Sequence, residues 1–284
     1  MIKNYFKIAL QNLIRNPLYS IVNITGLVIG LTVVMLVSMY VQDDLLFDRF
    51  HAQGKNIYRL VQDMKLPDGK IAKMGNTGMP QGPAFAQEIP EITSYCRFKN
   101  GWNVIIKKGN TGVKEELMYV DHSIQNIFSF DLLSGDSKTA LNDKSNVIIT
   151  DRLAKKHFGF DDPIGEILNI SDQGSDFKPY KISAVVKQPP QNSSIQFDLL
   201  LSYEHIIPTD PADLANYQNW FNASLNTFLL IRDDVSLPAV EEKMNNVSKK
   251  FYGDTDDKSK NPNKNLRSID YHLQPLHHMH LDPE

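Results

Sequence analysis

The stretch Leu18–Val41, LYSIVNITGLVIGLTVVMLVSMYV, decides how the whole chain is organised. It contains no charged residue, and the charge-free sequence extends from Asn16 to Gln42. At about 1.5 Å rise per residue a helix over this run reaches about 36 Å, enough to cross a hydrocarbon core of about 30 Å with some tilt. A soluble core helix of that length would need a polar face, and none is visible. A cleavable signal peptide has a shorter apolar region, about 7–15 residues, before a small-x-small cleavage site. This run leaves instead through Met39, Tyr40 and Val41 into Gln42, Asp43 and Asp44. An uncleaved transmembrane anchor is expected.

Charge placement around the run gives an orientation. Lys3, Lys7 and Arg15 precede it, and Asp43, Asp44 and Asp48 follow it. The positive-inside rule puts the basic N-terminus on the cytoplasmic face and the rest of the chain outside. Ile2, Phe6, Ala9, Leu13 and Ile14 recur at helical spacing among Lys3, Lys7, Gln11 and Arg15. That pattern suits a short amphipathic helix on the cytoplasmic membrane surface, as a plain interfacial anchor or as a docking point for a cytoplasmic partner. Asn16–Pro17 then breaks the chain before the span. Within the span, Gly26 and Gly30 form a GxxxG flanked by Thr25 and Thr32. Small residues four apart let a second helix approach closely, although the pattern also arises by chance in apolar helices. Leu45, Leu46, Phe47 and Phe50 suggest that the helix continues as a short stalk. The chain thus divides into a surface helix (1–17), a span with the start of a stalk (18–46) and a large extracytoplasmic domain (47–284).

That large domain is ordinary in composition. The chain is 42% hydrophobic, with a mean hydropathy of −0.32, so a long chain outside the span can bury its own core. Residues 1–50 carry four basic and three acidic side chains, and the remainder carries 26 and 30. A weakly acidic domain without a basic stripe excludes nucleic acid as a partner, because phosphate binding needs clustered Lys and Arg. Cys96 is the one cysteine, so no internal disulfide forms; it reads as a half-buried strand residue.

Turn chemistry punctuates the domain. Ile57–Met64 and Ile71–Met74 flank Pro67-Asp68-Gly69 and read as a hairpin. A short helix is predicted over Pro83–Glu88, and strands over Ile92–Phe98, Val104–Lys107 and Lys114–Val120, the last two joined by Gly109-Asn110-Thr111-Gly112. The buried-strand pattern SNVIIT (145–150) runs into a helix, Asp151–Phe158, with Thr150 or Asp151 as N-cap and Gly159 as its stop. Strands are predicted over Gly165–Ile170, Tyr180–Lys187, Gln196–Ser202, Ser224–Ile231 and, last, Asn265–Leu276. Leu237, Val240, Met244, Val247 and Phe251 share one face of a helix over Leu237–Phe251. Gly253–Asn265 is polar and reads as a surface loop. Strands and helices interleave without strict alternation, which makes the class α+β.

Catalytic signatures are missing from this pattern. There is no GxxxxGK[ST], so no nucleotide binds through a P-loop, and there is no GxSxG, HExxH or CxxC. His277, His278 and His280, with His272 nearby, form the one metal-like cluster; in a strand 278 and 280 would share a face. Only Asp282 could add a carboxylate there, too few ligands for a site, so a surface strand end is the better account. The Asp161–Asp162 and Asp254/Asp256/Asp257 groups lack the spacing of a calcium loop and read as solvated turns.

Several long motifs, in collinear order over nearly the full length, resemble one family. FKIALQNLIRNPLYSIVNITGLVIGL resembles the start of MacB-like and FtsX-like ABC transporter permeases, and DLLFDRFHAQGKNIYRL resembles their passage into the periplasmic core domain. FSFDLLSGDSKTALNDKSNVIITDRLAKKHFGFDDPIGEIL, YKISAVVKQPPQNSSIQFDLLLS, NTFLLI and LQPLHHMHL continue the likeness. The resemblance implies a periplasmic core domain with a porter-like part of βαβ units and an inserted, strand-rich lobe. It implies a cell inner membrane permease that works as a dimer with a separate cytoplasmic ABC ATPase, in which the ATP is bound, so no cofactor belongs to this chain. It also implies mechanotransmission of ATP-driven motion to a periplasmic domain that handles export or extraction of substrate, with a periplasmic adaptor as a further partner. Family permeases carry three further spans after this domain, so the chain ending at Glu284 is expected to be the N-terminal part of one. Two other readings compete: a membrane-anchored extracytoplasmic ligand-binding sensor domain, and a tethered hydrolase, for which no motif speaks.

Overall fold

A computed structural model describes residues 2–66, 68–102, 104–108, 111–137, 139–159, 161–172, 174–252 and 268–281. The expected loop over 253–265, Pro67 of the hairpin turn, Gly109–Asn110 and Asp282 lie outside the described residues. The chain forms two compact units, Met1–Phe47 and Asp48–Glu284.

The first unit is two helices. Helix α1 (Ile2–Arg15) ends at Asn16, and α2 (Pro17–Leu45) begins with its proline in the first turn, where the missing N–H costs nothing. Ser20 closes the corner by donating its hydroxyl to the Leu13 carbonyl at 3.0 Å. No residue of α2 is buried, and Leu18, Leu27 and Leu36 are among its exposed side chains. The expected stalk is not there. The helix stops at Leu45, residues 46–50 form turns, and Asp48 takes φ 54°, a left-handed conformation that a helix cannot continue through.

The second unit is built on a split βαβ core. Strand β1 (Ile57–Lys65) pairs with β2 (Ile71–Met74) as the expected hairpin, with Gly69 at φ 85°. Helix α3 (Gln81–Glu88) leads to β3 (Ile92–Asn100). Much later β12 (Asn226–Ile231), α7 (Leu237–Tyr252) and β13 (Ser268–Pro275) complete the motif. Spatially the strands run β13-β1-β12-β3, every neighbouring pair antiparallel. This is the ferredoxin-like βαββαβ order, fourth-first-third-second. Both faces are covered, which explains the unbroken apolar run in β12: Phe228 enters one core, and Leu229 and Ile231 the other. On one side Phe98, Phe128 and Phe228 meet edge to face, at 5.2–5.3 Å between centroids. On the other, α3 and α7 cover Leu60, Phe85 and Tyr271. The free edge of β13 is closed by α7: Asn245 Oδ1 accepts from Tyr271 N–H at 2.7 Å, and Glu241 Oε1 from Leu273 N–H at 2.8 Å, which blunts edge-to-edge pairing.

Everything between β3 and β12 is an insertion that extends the same sheet. It contains β4 (Ile105–Lys108), β5 (Thr111–Lys114), β6 (Leu117–Val120), α4 (Ile124–Ile127), β7 (Leu132–Gly135), β8 (Asn146–Thr150), α5 (Asp151–Phe158), β9 (Ile167–Ser171), β10 (Lys178–Val186), β11 (Leu199–Ser202) and α6 (Pro211–Tyr217). Strand β6 joins β3 at Phe98–Asn100, and the order continues β6-β11-β8-β10-β9-β4-β5. The pairs β6·β11 and β8·β10 are parallel, so the sheet is mixed and the class is α+β. Thr150 caps α5 by accepting from Leu153 N–H at 3.3 Å, and Gly159 stops it at φ 72°. The run expected as one strand over Lys114–Val120 is broken into β5 and β6 at Glu115–Glu116, because Glu115 turns inward to an ion network described below. Cys96 is fully buried rather than half-buried; its neighbour Arg97 is held beside it by a two-pronged bond to Asp121 at 2.7 and 2.8 Å.

Candidate functional site

The basic residues that flank the span stay at the surface where they are described. Lys7 and Arg15 are exposed on α1; Lys3 lies in the same helix, and its side chain is outside the described set. Gly26 and Gly30 lie one turn apart on α2, and a Cβ built on either meets nothing within 4 Å. Their shared face is open. The histidine cluster changes meaning: Leu276–His278 is a 3-10 turn, followed by further turn residues, so His278 and His280 do not alternate on a strand. His272, on β13, sits between Asp63 and Glu241, 3.7 Å from each. Among the described residues no group of three His, Cys, Asp or Glu converges to hold a metal ion.

A cleft of about 740 Å³ lies where the ferredoxin-like half meets the insertion, with Phe98 and Phe228 from one and Leu117, Ile195 and Arg152 from the other. One wall is an ion network. Glu115 and Asp198 have only 2% and 3% of their side chains exposed. Helix α5 supplies the counter-charges Arg152, which binds Asp198 and lies 4.0 Å from Glu115, and Lys156, which binds Glu115 at 2.7 Å; the His157 ring also reaches Glu115, at 3.4 Å. Asp198 also knits backbone: its Oδ2 accepts from Glu116 N–H at 3.1 Å, and its carbonyl from Thr150 N–H at 2.9 Å. Hydrogen bonding to Asp198 raises the Arg152 pKa. The buried Glu115 and Asp198 are thus closed off by the half-exposed Arg152 and Lys156, which neutralises the wall and fixes α5 against β6 and β11. No sequence signal points to this network, because its partners lie 37 to 82 positions apart.

Chemically the cleft can hold a ligand, but nothing described in it is poised to react. The nearest approach to a catalytic triad in the domain is Ser202, His122 and Glu204. There the Ser202 hydroxyl and the Glu204 carboxylate both face the same ring nitrogen of His122, at 3.5 Å each. A base must take the proton at one nitrogen while its orienting group holds the other, so this arrangement is not a relay.

Comparison with known proteins agrees with this architecture. The family model of the MacB-like periplasmic core domain matches residues 20–247. Among solved structures, a domain of a protein named as a permease, from Porphyromonas gingivalis, is similar at 22% identity and a TM-score of 0.64; it covers 79% of this chain and 91% of its own. The periplasmic region of MacB from Actinobacillus actinomycetemcomitans matches at 15% identity and a TM-score of 0.48, over 80% and 92%. The extracellular domain of the noncanonic ABC-type transporter YknZ from Gram-positive bacteria matches at 11% and 0.49, over 77% and 100%. No curated protein matches the chain. With most of its length inside that family model and the fold of a permease domain, the chain belongs to the MacB-like periplasmic core domain family.

Proposed function

We propose that this chain is the N-terminal part of an ABC transporter permease subunit: a membrane anchor that carries ATP-driven motion to a periplasmic domain handling export or extraction of substrate. The observation that carries the reading is α2, long and apolar enough to cross a membrane and bare along its whole length, joined directly to a domain of the MacB-like periplasmic family. Bare in water, about 20 large apolar side chains at roughly 1.5–3 kcal/mol each would leave tens of kcal/mol unrealised; lipid supplies that burial. Asp43 and Asp44 sit in the last turn of α2, where carboxylates oppose the helix dipole. Their place is better explained by topology, with the acidic end outside and Lys3, Lys7 and Arg15 in the cytoplasm.

In this reading α1 lies on the inner face of the cell inner membrane, within reach of a cytoplasmic ABC ATPase, which the lack of a P-loop in this chain requires as a separate subunit. Gly26 and Gly30 are the face on which a second permease helix packs, and the cleft beside Arg152 is the part of the domain open to a periplasmic cargo or adaptor. Affinity purification from membranes tests the reading. A MacB-like ATPase is expected to co-purify; recovery of a lone monomer with no ATPase contradicts it. Gly26→Leu or Gly30→Leu is expected to reduce crosslinking between permease helices, and an unchanged pattern would make the glycine pair incidental.

A further inference from the structure

Asp48, the first residue after the anchor unit, is built into the core domain at a cost. It is fully buried and holds φ 54°, a conformation that strains any residue with a Cβ. Two bonds hold it: its N–H donates to the Asn192 carbonyl at 2.9 Å, and its Oδ1 accepts from Ser194 N–H at 2.9 Å. Three residues on, the His51 ring is buried, with Phe128 and Phe130 edge-on at 5.1 and 5.3 Å. Its Nδ1 accepts from Ser129 N–H at 3.1 Å, which places the ring proton on Nε2. Gly54 comes next. A Cβ there would stand 2.7 Å from Cε1 and 3.0 Å from Nε2 of His277. The glycine is thus needed for the space taken by His277, since its own backbone is one that any residue accepts. His277 belongs to the 3-10 turn Leu276–His278 that follows β13, and it acts electrostatically on both Asp48 and His51.

We propose that Asp48, His51, Gly54, the Asn192–Ser194 loop and His277 form one joint, which locks the chain's entry into the core domain to the turn after β13 and to the loop that feeds β11. Each contact alone would order a single turn. Together, a buried strained aspartate, a buried imidazole and a glycine that makes room for a distant ring tie three segments that are far apart in the sequence, 48–54, 192–194 and 277. The use of such a joint rests on the permease reading: a displacement of residue 48 reaches the ferredoxin-like half through β1 and β13, and the insertion through β11, in one step.

Hydrogen exchange on the full chain in lipid nanodiscs tests it, with Gly54→Val, which wedges His277 away, and His277→Ala, which deletes the ring. Both are expected to speed exchange of the Ser194 amide at least tenfold, although neither altered side chain touches Ser194, while Val147–Ile149 in β8 stay protected. Faster exchange confined to 53–56 and 276–279, with Ser194 unchanged, overturns the joint. If Gly54→Val loses protection in β8 and so has not folded, Asp48→Asn gives the reciprocal reading: it must loosen 276–279, and unaltered exchange there overturns the proposal equally. Recovery of an ATPase is a separate result, so the joint and the permease reading can fail independently.

Discussion

The two units of this chain obey opposite rules. In α2 of the first unit the large apolar side chains point outward, and none is buried. In the described residues of Asp48–Glu284 the same residue types fill three cores. Backbone hydrogen bonds run through two helix ladders in the first unit and through a many-stranded sheet in the second. On the permease reading the difference lies in the solvent each surface meets, lipid for α2 and water for the domain, and an exposed leucine is then an anchor, not an anomaly.

The contrast breaks most completely if the first unit is made to obey the second unit's rule. Leu31→Arg with Val34→Arg puts two charges near the middle of α2, at about 2.5–3.5 kcal/mol each in lipid. The chain is expected to move from the carbonate-resistant membrane pellet to the extractable fraction. In the second unit the corresponding lesion is an uncompensated charge. Asp121→Ala leaves the buried Arg97 guanidinium without its two-pronged partner, and breaking such a pair costs roughly 3–5 kcal/mol. Denaturant unfolding of the detergent-solubilised chain measures it, and a midpoint near that of the unaltered chain would show that Arg97 finds other partners.

Acid should find the second unit and spare the first. Burial first, and the nearby His277 second, push the His51 pKa down from 6.5 to about 4. Between those values the unfolded chain binds the extra proton, so the stability His51 contributes is complete above about pH 6.5 and is lost as pH falls towards 4, by roughly 3 kcal/mol. Asp48 works the other way: burial raises its pKa, so its share is lost as pH rises above the ordinary carboxylate range. Unfolding midpoints measured from pH 7 to 4 should fall, and His51→Asn should flatten the slope. The smallest effect is local. Thr150→Ala removes the cap of α5 and is expected to cost about 1 kcal/mol, seen as faster exchange at Leu153 alone.

Local chemistry was readable in the sequence, and assembly was not. The anchor, the 57–74 hairpin, the capped helix after SNVIIT and the amphipathic α7 announce themselves through charge gaps, turn residues, caps and period. Helix α6 has a local signal of the same kind: Asp210 caps its first turn and Pro211 opens it. Strand β7, with Leu132 and Leu133 both exposed, has no alternation to read. The fourth-first-third-second strand order depends on pairings across the whole insertion, the network around Glu115 on residues far apart in the chain, and the stop at Leu45 on a bond from Asp48 to Asn192. None of these leaves a local trace.

Orientation of the two units across a membrane is the claim on which the rest stands. Cys96 is buried and its thiol pKa is driven up by that burial, so it stays silent, and single cysteines at the exposed Lys7 and Lys107 can be probed in intact cells with a membrane-impermeant maleimide after outer-membrane permeabilisation. Lys107→Cys should label at once and Lys7→Cys only after the inner membrane is breached, with the protein pelleting throughout. Labelling of both without breach, or a soluble periplasmic product that begins beyond Val41, contradicts the account.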